Sequence, residues 1–303
     1  MVRSNNELVR RMRKSMGLSQ EEMAEHLHIN QRSLSRIESG KRNLDLWEYL
    51  AIMQMARGPT EDLLPLILES KEMTDYDMYN ELKRMLRFRQ YSEILNILPV
   101  FERRLTTKQT IILQFIAYVK IRANEETPHD KAIEGLYEAL SMSIKHFDER
   151  RISEYRFTYN ELCIVAEIAN ETALLGNVEK AIAWYEALIK NRKNFLATDA
   201  DKAAILPTLM LGLSNLLGKA GRHEEAIKYC EDAREMGRRY NNLCLTPLIL
   251  YNMACAYQDL GRDDETCKNH VDMSYYSAKA IGDIAAVKII KKDAEKRFGI
   301  VYP

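Results

Sequence analysis

The stretch Ser19–Lys41, SQEEMAEHLHINQRSLSRIESGK, reads as two short helices and the turn between them. Ser19 is placed to cap the first, and Glu22 three residues later completes a capping box, in which each side chain satisfies a backbone N–H of the other residue. Met23, Ala24 and Leu27 form its apolar stripe. His28-Ile29 makes the turn, and Asn30 caps the second helix, Gln31 to about Ser39. Leu34 and Ile37 of that helix face the same core as the first stripe, and Gly40 ends it.

Working outward, a helix over about 4–15 carries Leu8 and Met12 at i, i+4 and stops at Gly17. Downstream, Leu44, Leu46, Trp47, Leu50, Ile52 and Met53 predict a fourth helix closing the core. Gly58-Pro59 is a break, and Thr60 caps a fifth helix ending near Ser70. Residues 1–44 hold nine lysines and arginines against five acids, whereas the whole chain is balanced at 44 each. A basic head on an acidic remainder is the distribution expected when one end touches nucleic acid.

In Ser19–Lys41, Ser-Gln at the start of the first helix, Ala24, Ile29, Ser33 and Ile37-Glu38-x-Gly40-Lys41 fall in one register. This segment resembles the helix-turn-helix of the Cro/C1 phage-repressor type, also called the XRE family, over about 60–65 residues. One departure is His28, where that family usually has Gly; a φ above zero is expected there, and His tolerates it better than most residues. The resemblance implies that the helix after Asn30 lies in the DNA major groove with its N-terminal side chains at base edges. Gln31, Arg32, Ser35 and Arg36 are the outward residues; Gln reads adenine and Arg reads guanine through paired hydrogen bonds. Gln20 matches the family position that binds a backbone phosphate, at a helix N-terminus. Lys41 and Arg42 follow the helix and are expected on phosphate. Arg13 and Glu38 match a buried structural ion pair of the family, so Arg13 is withheld from the DNA contacts.

The remaining 230 or so residues are predicted to be helical too. Twelve glycines and seven prolines in 303 residues are too few for a strand-and-turn or disordered chain, and charged residues make up 29%. The N-terminus is charged with no apolar signal segment, and no run is long enough to span a membrane. Cys163, Cys230, Cys244, Cys255 and Cys267 form no C-x-x-C pair and read as reduced thiols of a cytoplasmic protein. No histidine has metal-ligand spacing, His223-Glu224 lacks the second His of a zinc motif, and no phosphate loop or nucleophile elbow occurs. No enzyme, cofactor or metal site is therefore expected.

The body repeats. Gly176…Ala181…Tyr185 parallels Gly221…Ala226…Cys230 and Gly261…Thr266…His270. Seven residues before each glycine stands a small residue, Ala169, Ser214 or Ala254, preceded by Ile168, Leu213 or Met253. Ala132–Ala139 and Arg89–Ile94 look like parts of earlier units, and Thr127-Pro128 and Thr246-Pro247 read as helix starts. Small contacts on either side of a helix turn resemble the tetratricopeptide helix pair. The recurring positions Ile94, Ala132, Ala181, Ala226 and Thr266 lie 38, 49, 45 and 40 residues apart, so the units carry longer helices or loops. The fold class expected is all-α: a helix-turn-helix domain over 1–70 followed by a tetratricopeptide-like α-solenoid over 71–303.

Such a solenoid lines its concave face with first helices. Positions beside the small residue give Asn170, Asn215 and Cys255 on one side and Glu167, Gly212, Asn252, Leu211 and Tyr251 on the other, with Lys219 and Gln258 one turn on. An Asn amide both donates and accepts, so it can clamp a peptide backbone without reading side chains. Asn170, Asn215, Asn252, Tyr251, Glu167, Lys219 and Gln258 are the candidate peptide-binding residues, with Gln114, Tyr118 and Arg122 from an earlier unit; inter-helix hydrogen bonding is the competing role. Trp184-Tyr185 reads as repeat core.

Head and body together resemble the peptide-sensing (RRNPP) regulators of Gram-positive bacteria, the Rgg, PlcR and PrgX group. That resemblance implies a transcriptional regulator of quorum-sensing type, a homodimer joined through the repeat domain, a pseudo-palindromic double-stranded DNA operator and a short signalling peptide. A protein partner docking on the repeat scaffold is the alternative.

Overall fold

The structure, a computed structural model, describes residues 5–42, 44, 45, 48, 49, 51, 52, 55, 70–104, 110–197 and 199–303. The expectations for Leu46, Trp47, Leu50, Met53, Gly58-Pro59 and Thr60, and for the Leu8 side chain, lie outside the described residues. Among the described residues the regular structure is helical, with one isolated bridge between Thr158 and Leu196.

The head holds α1 (Asn5–Ser15), α2 (Gln20–His26) and α3 (Gln31–Glu38). Its starts are as expected: Ser19 and Glu22 form the reciprocal capping box, and the Asn30 side chain accepts from Ser33 N–H. Its stops share one device, the Schellman motif. At the end of α3, Gly40 N–H bonds Ile37 O and Lys41 N–H bonds Arg36 O. At the end of α2, His28 and Ile29 bond Glu25 O and Ala24 O in the same pattern. That motif needs a left-handed residue; His28 supplies it with φ 55°. Val9, Leu18, Met23, Ala24, Leu27, Leu34, Ile37 and Ile52 are buried together.

The body is a row of helix hairpins: α4 (Ser70–Arg87) with α5 (Tyr91–Arg104), α6 (Thr110–Ala123) with α7 (His129–Ser141), α8 (Tyr159–Leu174) with α9 (Val178–Lys190), α10 (Asp199–Lys219) with α11 (His223–Arg239), and α12 (Thr246–Asp259) with α13 (Asp264–Ala280). A single helix, α14 (Ile284–Phe298), follows. Each first helix also packs on the next, α4 on α6, α6 on α8, α8 on α10, α10 on α12 and α12 on α14, giving a continuous inner layer. The small residues are where close approach needs them: Ala169, Ser214, Ala254 and Ala181 are fully buried, and Ala226 nearly so. Gly176, Gly221, Gly261 and Gly282 end their helices with the same stop as Gly40. Trp184 and Tyr185 are core residues.

The uneven repeat lengths have a local cause. A 3-10 turn at Glu149–Glu154 and an aromatic cluster of Phe147, Tyr155, Phe157 and Trp184 fill the link between α7 and α8. A second 3-10 turn, Arg192–Asn194, sits between α9 and α10. Two expected caps differ. Pro128 itself is the N-cap of α7 with no side-chain cap bond, and α12 starts at Thr246 behind Leu245; the prolines mark these starts, but the threonines stand one residue off the cap position.

Head and body touch. Ile111 and Leu196 of the body join the head's apolar cluster, and Arg156 donates to Met16 O at 3.4 Å. His26 and His28 lie at this seam, where burial lowers both imidazoles despite the attraction of Glu161.

Candidate nucleic-acid interface and ligand groove

Helix α3 divides cleanly. Leu34 and Ile37 are buried, while Gln31, Arg32, Ser35 and Arg36 are exposed together on the opposite side, as is Lys41 just beyond. The helix is braced from beneath. Arg13 grips Glu38 with two parallel hydrogen bonds from one edge of its guanidinium, Nε to Oε1 at 2.6 Å and Nη2 to Oε2 at 3.1 Å, and its Nη1 donates to Leu18 O. Burial raises the Glu38 carboxyl, but hydrogen bonds from Arg13 and Gln20 outweigh it and hold the group below the ordinary carboxylate range.

Two residues expected on phosphate are drawn inward. The Gln20 amide nitrogen donates to Glu38 Oε2 at 2.8 Å, and Arg42 pairs with the buried Glu48 at 2.7 Å. An acidic partner nearby competes with a phosphate for the same N–H groups. Gln31, Arg32, Ser35, Arg36 and Lys41 remain the outward set.

In the body, a groove of about 420 Å³ runs along α8, bounded by α4, α6, α10 and the start of α12. Glu167, Asn170, Asn215 and Lys219 line it, as do Tyr118 and Arg122. Asn170 is held from two sides: its Oδ1 accepts from Tyr185 O–H at 2.8 Å, and its Nδ2 donates to Glu167 at 3.2 Å. Glu167 in turn pairs with Arg122, whose guanidinium lies 4.8 Å from the Tyr91 ring centre. Burial raises the Glu167 carboxyl, and Arg122 only partly offsets this. Asn215 is exposed on the same wall.

The other expected residues are not part of this groove. Asn252 donates to Ser214 Oγ at 2.8 Å, joining two first helices. Tyr251 is buried against Phe298, and Gln258 exchanges hydrogen bonds with Arg297. Tyr251 and Gln258 sit where α14 packs on α12, and Asn252 is turned toward α10, so the last hairpin presents none of the three to the groove. Gln114 is also structural, donating to Ala139 O and Ser143 Oγ. Gly212 faces the Tyr185 ring: a Cβ there would sit 2.8 Å from three of its atoms. Gly212→Ala should therefore lower stability by about 1–3 kcal/mol, read as a fall in melting temperature, and loosen the Tyr185–Asn170 bond; an unchanged melting temperature refutes the packing argument.

The sequence did not point to Lys83, Arg87, Arg89, Tyr91 and Thr208, which also line the groove. Lys83 lies between the Tyr79 and Tyr159 rings and pairs with Asp201 at 2.8 Å. Lys83 and Arg87 are one turn apart on α4, a spacing that marks one helix face. Cys163 on the groove floor is a buried thiol whose pKa burial pushes up to about 12, which makes it unreactive.

A helix-turn-helix family model, HTH_3, matches residues 9–46. No curated protein matches the sequence significantly. Among solved structures, PlcR of Bacillus thuringiensis in complex with the peptide PapR7 and DNA is 17% identical, aligns over 94% of this chain and 98% of its own, and has a TM-score of 0.63. The apo form of that protein gives 0.57 at 16% identity over the same shares. ComR from S. thermophilus, in complex with DNA and its signalling peptide ComS, gives 0.50 at 14% identity over 98% of this chain and 100% of its own. The chain thus carries an HTH_3-type helix-turn-helix at the front of the fold seen in PlcR.

Proposed function

We propose that the chain is a sequence-specific, DNA-binding transcriptional regulator of quorum-sensing type, controlled by a short signalling peptide bound in the groove. Residues 1–70 form the DNA-binding domain, and residues 71–303 bind the peptide and join two copies into a homodimer in the cytoplasm. One observation carries this reading. The same chain turns a basic recognition helix outward, at Gln31, Arg32, Ser35 and Arg36, and closes a groove around Asn170 and Asn215. The solved relatives bound to both DNA and a peptide support it. So does the length of the groove. From Asn160 to Leu174, α8 rises about 21 Å at 1.5 Å per residue, which spans about six residues of extended peptide.

Control follows from linkage. A peptide shifts the output only if it binds one arrangement of the body better than another. Two recognition helices on a pseudo-palindromic operator need a separation near one DNA turn, about 34 Å or a multiple. A change in solenoid curvature moves them on or off that spacing.

The test uses an operator enriched from random DNA duplexes and a peptide selected from a pool of synthetic hexa- to octapeptides. Asn170→Ala and Asn215→Ala should leave operator binding by the peptide-free protein intact and weaken peptide binding about tenfold each in calorimetry. Normal binding by both variants overturns the groove assignment; failure of the chain to enrich any duplex at low salt overturns the DNA reading.

A further inference from the structure

Hairpins in a solenoid ordinarily touch only their neighbours. Here the first hairpin reaches far along the chain. Lys83 of α4 pairs with Asp201 of α10, and Arg89, in the α4–α5 turn, donates to Asp283 at the start of α14 at 3.1 Å. Asp283 is almost fully buried and does two jobs, since its other oxygen caps α14 by accepting from Ala286 N–H. On the outside of the same junction, Lys288 of α14 also attracts Glu93 of α5.

Arg89 stands at a helix stop with φ 54°, where Gly176, Gly221, Gly261 and Gly282 stand in the other turns. A non-glycine residue in that conformation costs stability, so the turn alone does not call for arginine. The side chain does: it crosses to Asp283 with one edge, while its Nε, buried and without a hydrogen-bond partner, and the equally unpartnered Tyr91 O–H belong to groove-lining residues. Such a half-satisfied buried set is high in energy until something completes it.

We propose that Arg89 and Asp283 form a clasp that fastens the first hairpin to the last helix and sets the width of the groove. Its opening and closing is the change of curvature that a groove ligand biases, because one guanidinium faces both the clasp and the groove. This coupling rests on the proposed function; the clasp does not, and it is tested without any ligand.

The experiment compares amide hydrogen exchange and small-angle scattering of the full chain with its Asp283→Asn and Arg89→Gly variants. Asn caps a helix about as well as Asp, so Asp283→Asn keeps the start of α14. Arg89→Gly improves the local stop. If the clasp is real, both variants exchange about tenfold faster at residues 284–290 and show a larger radius of gyration, and the double variant is no looser than either single one. Unchanged exchange at 284–290 in Arg89→Gly, or additive effects in the double variant, overturns the proposal. Either result leaves the peptide and DNA readings to their own tests.

Discussion

Glu38→Ala should unfold the head under conditions in which the body stays folded. The substitution removes a carboxylate that accepts from two nitrogens of Arg13 and from Gln20, and Arg13 is only 9% exposed. Breaking a buried ion pair by deleting one partner costs about 3–5 kcal/mol, a large share of the roughly 5–15 kcal/mol that holds a domain together. Calorimetry should show a separate, earlier transition, with fast amide exchange confined to α1–α3. The double change Arg13→Met with Glu38→Leu should restore most of the loss, because the penalty comes from an orphaned charge and not from the absence of the pair. A head transition that stays in place in Glu38→Ala refutes the argument. Acid acts in the same direction. The folded Glu38 carboxyl lies below its unfolded value, so its contribution is complete above about pH 4.3 and disappears as the pH falls through the folded value.

Arg36→Ala should weaken specific operator binding by about 1–3 kcal/mol, roughly fivefold to 150-fold, and relax the sequence preference at one base pair. Arg36 is exposed on the recognition face, and the braced core beneath α3 does not depend on it. Lys41→Ala should instead weaken all duplexes alike and lower the salt slope by about one. Gel shifts on the enriched operator at several salt concentrations separate the two. Unchanged affinity for Arg36→Ala removes it from the base-reading set.

Much of this was legible in the sequence because it is local. Caps and stops are decided within about six residues, so Ser19, Asn30 and Gly40 could be read directly, while the left-handed His28 was expected from the glycine usual at that place in the family the head resembles. The repeat could be read from Ala169, Ser214 and Ala254 because close helix packing demands small residues at fixed offsets. Asn170 and Asn215 reach the groove for the same reason. Tyr251 and Gln258 do not, because their register was copied from inner hairpins onto the last one, whose first helix is covered by α14, and Asn252 does not because its amide is spent on Ser214 of the neighbouring first helix. Lys83, Arg89 and Tyr91 were illegible for a different reason. The partners of Lys83 and Arg89 lie far along the chain, at Asp201 and Asp283, and the Tyr91 hydroxyl has no hydrogen-bond partner to betray it in the sequence.

The helix stops have a consequence for how such a chain can change over time. Each Schellman turn keeps its hydrogen bonds within a six-residue span and ends its helix without help from a distant strand or sheet. Within α8–α9, α10–α11 and α12–α13 the chain reversal is therefore a local property, so each hairpin can keep its own fold-back when chain is gained or lost in a link between hairpins, such as 142–158. The first hairpin and the last helix are the exception, since a hairpin gained or lost between them would separate Arg89 from Asp283.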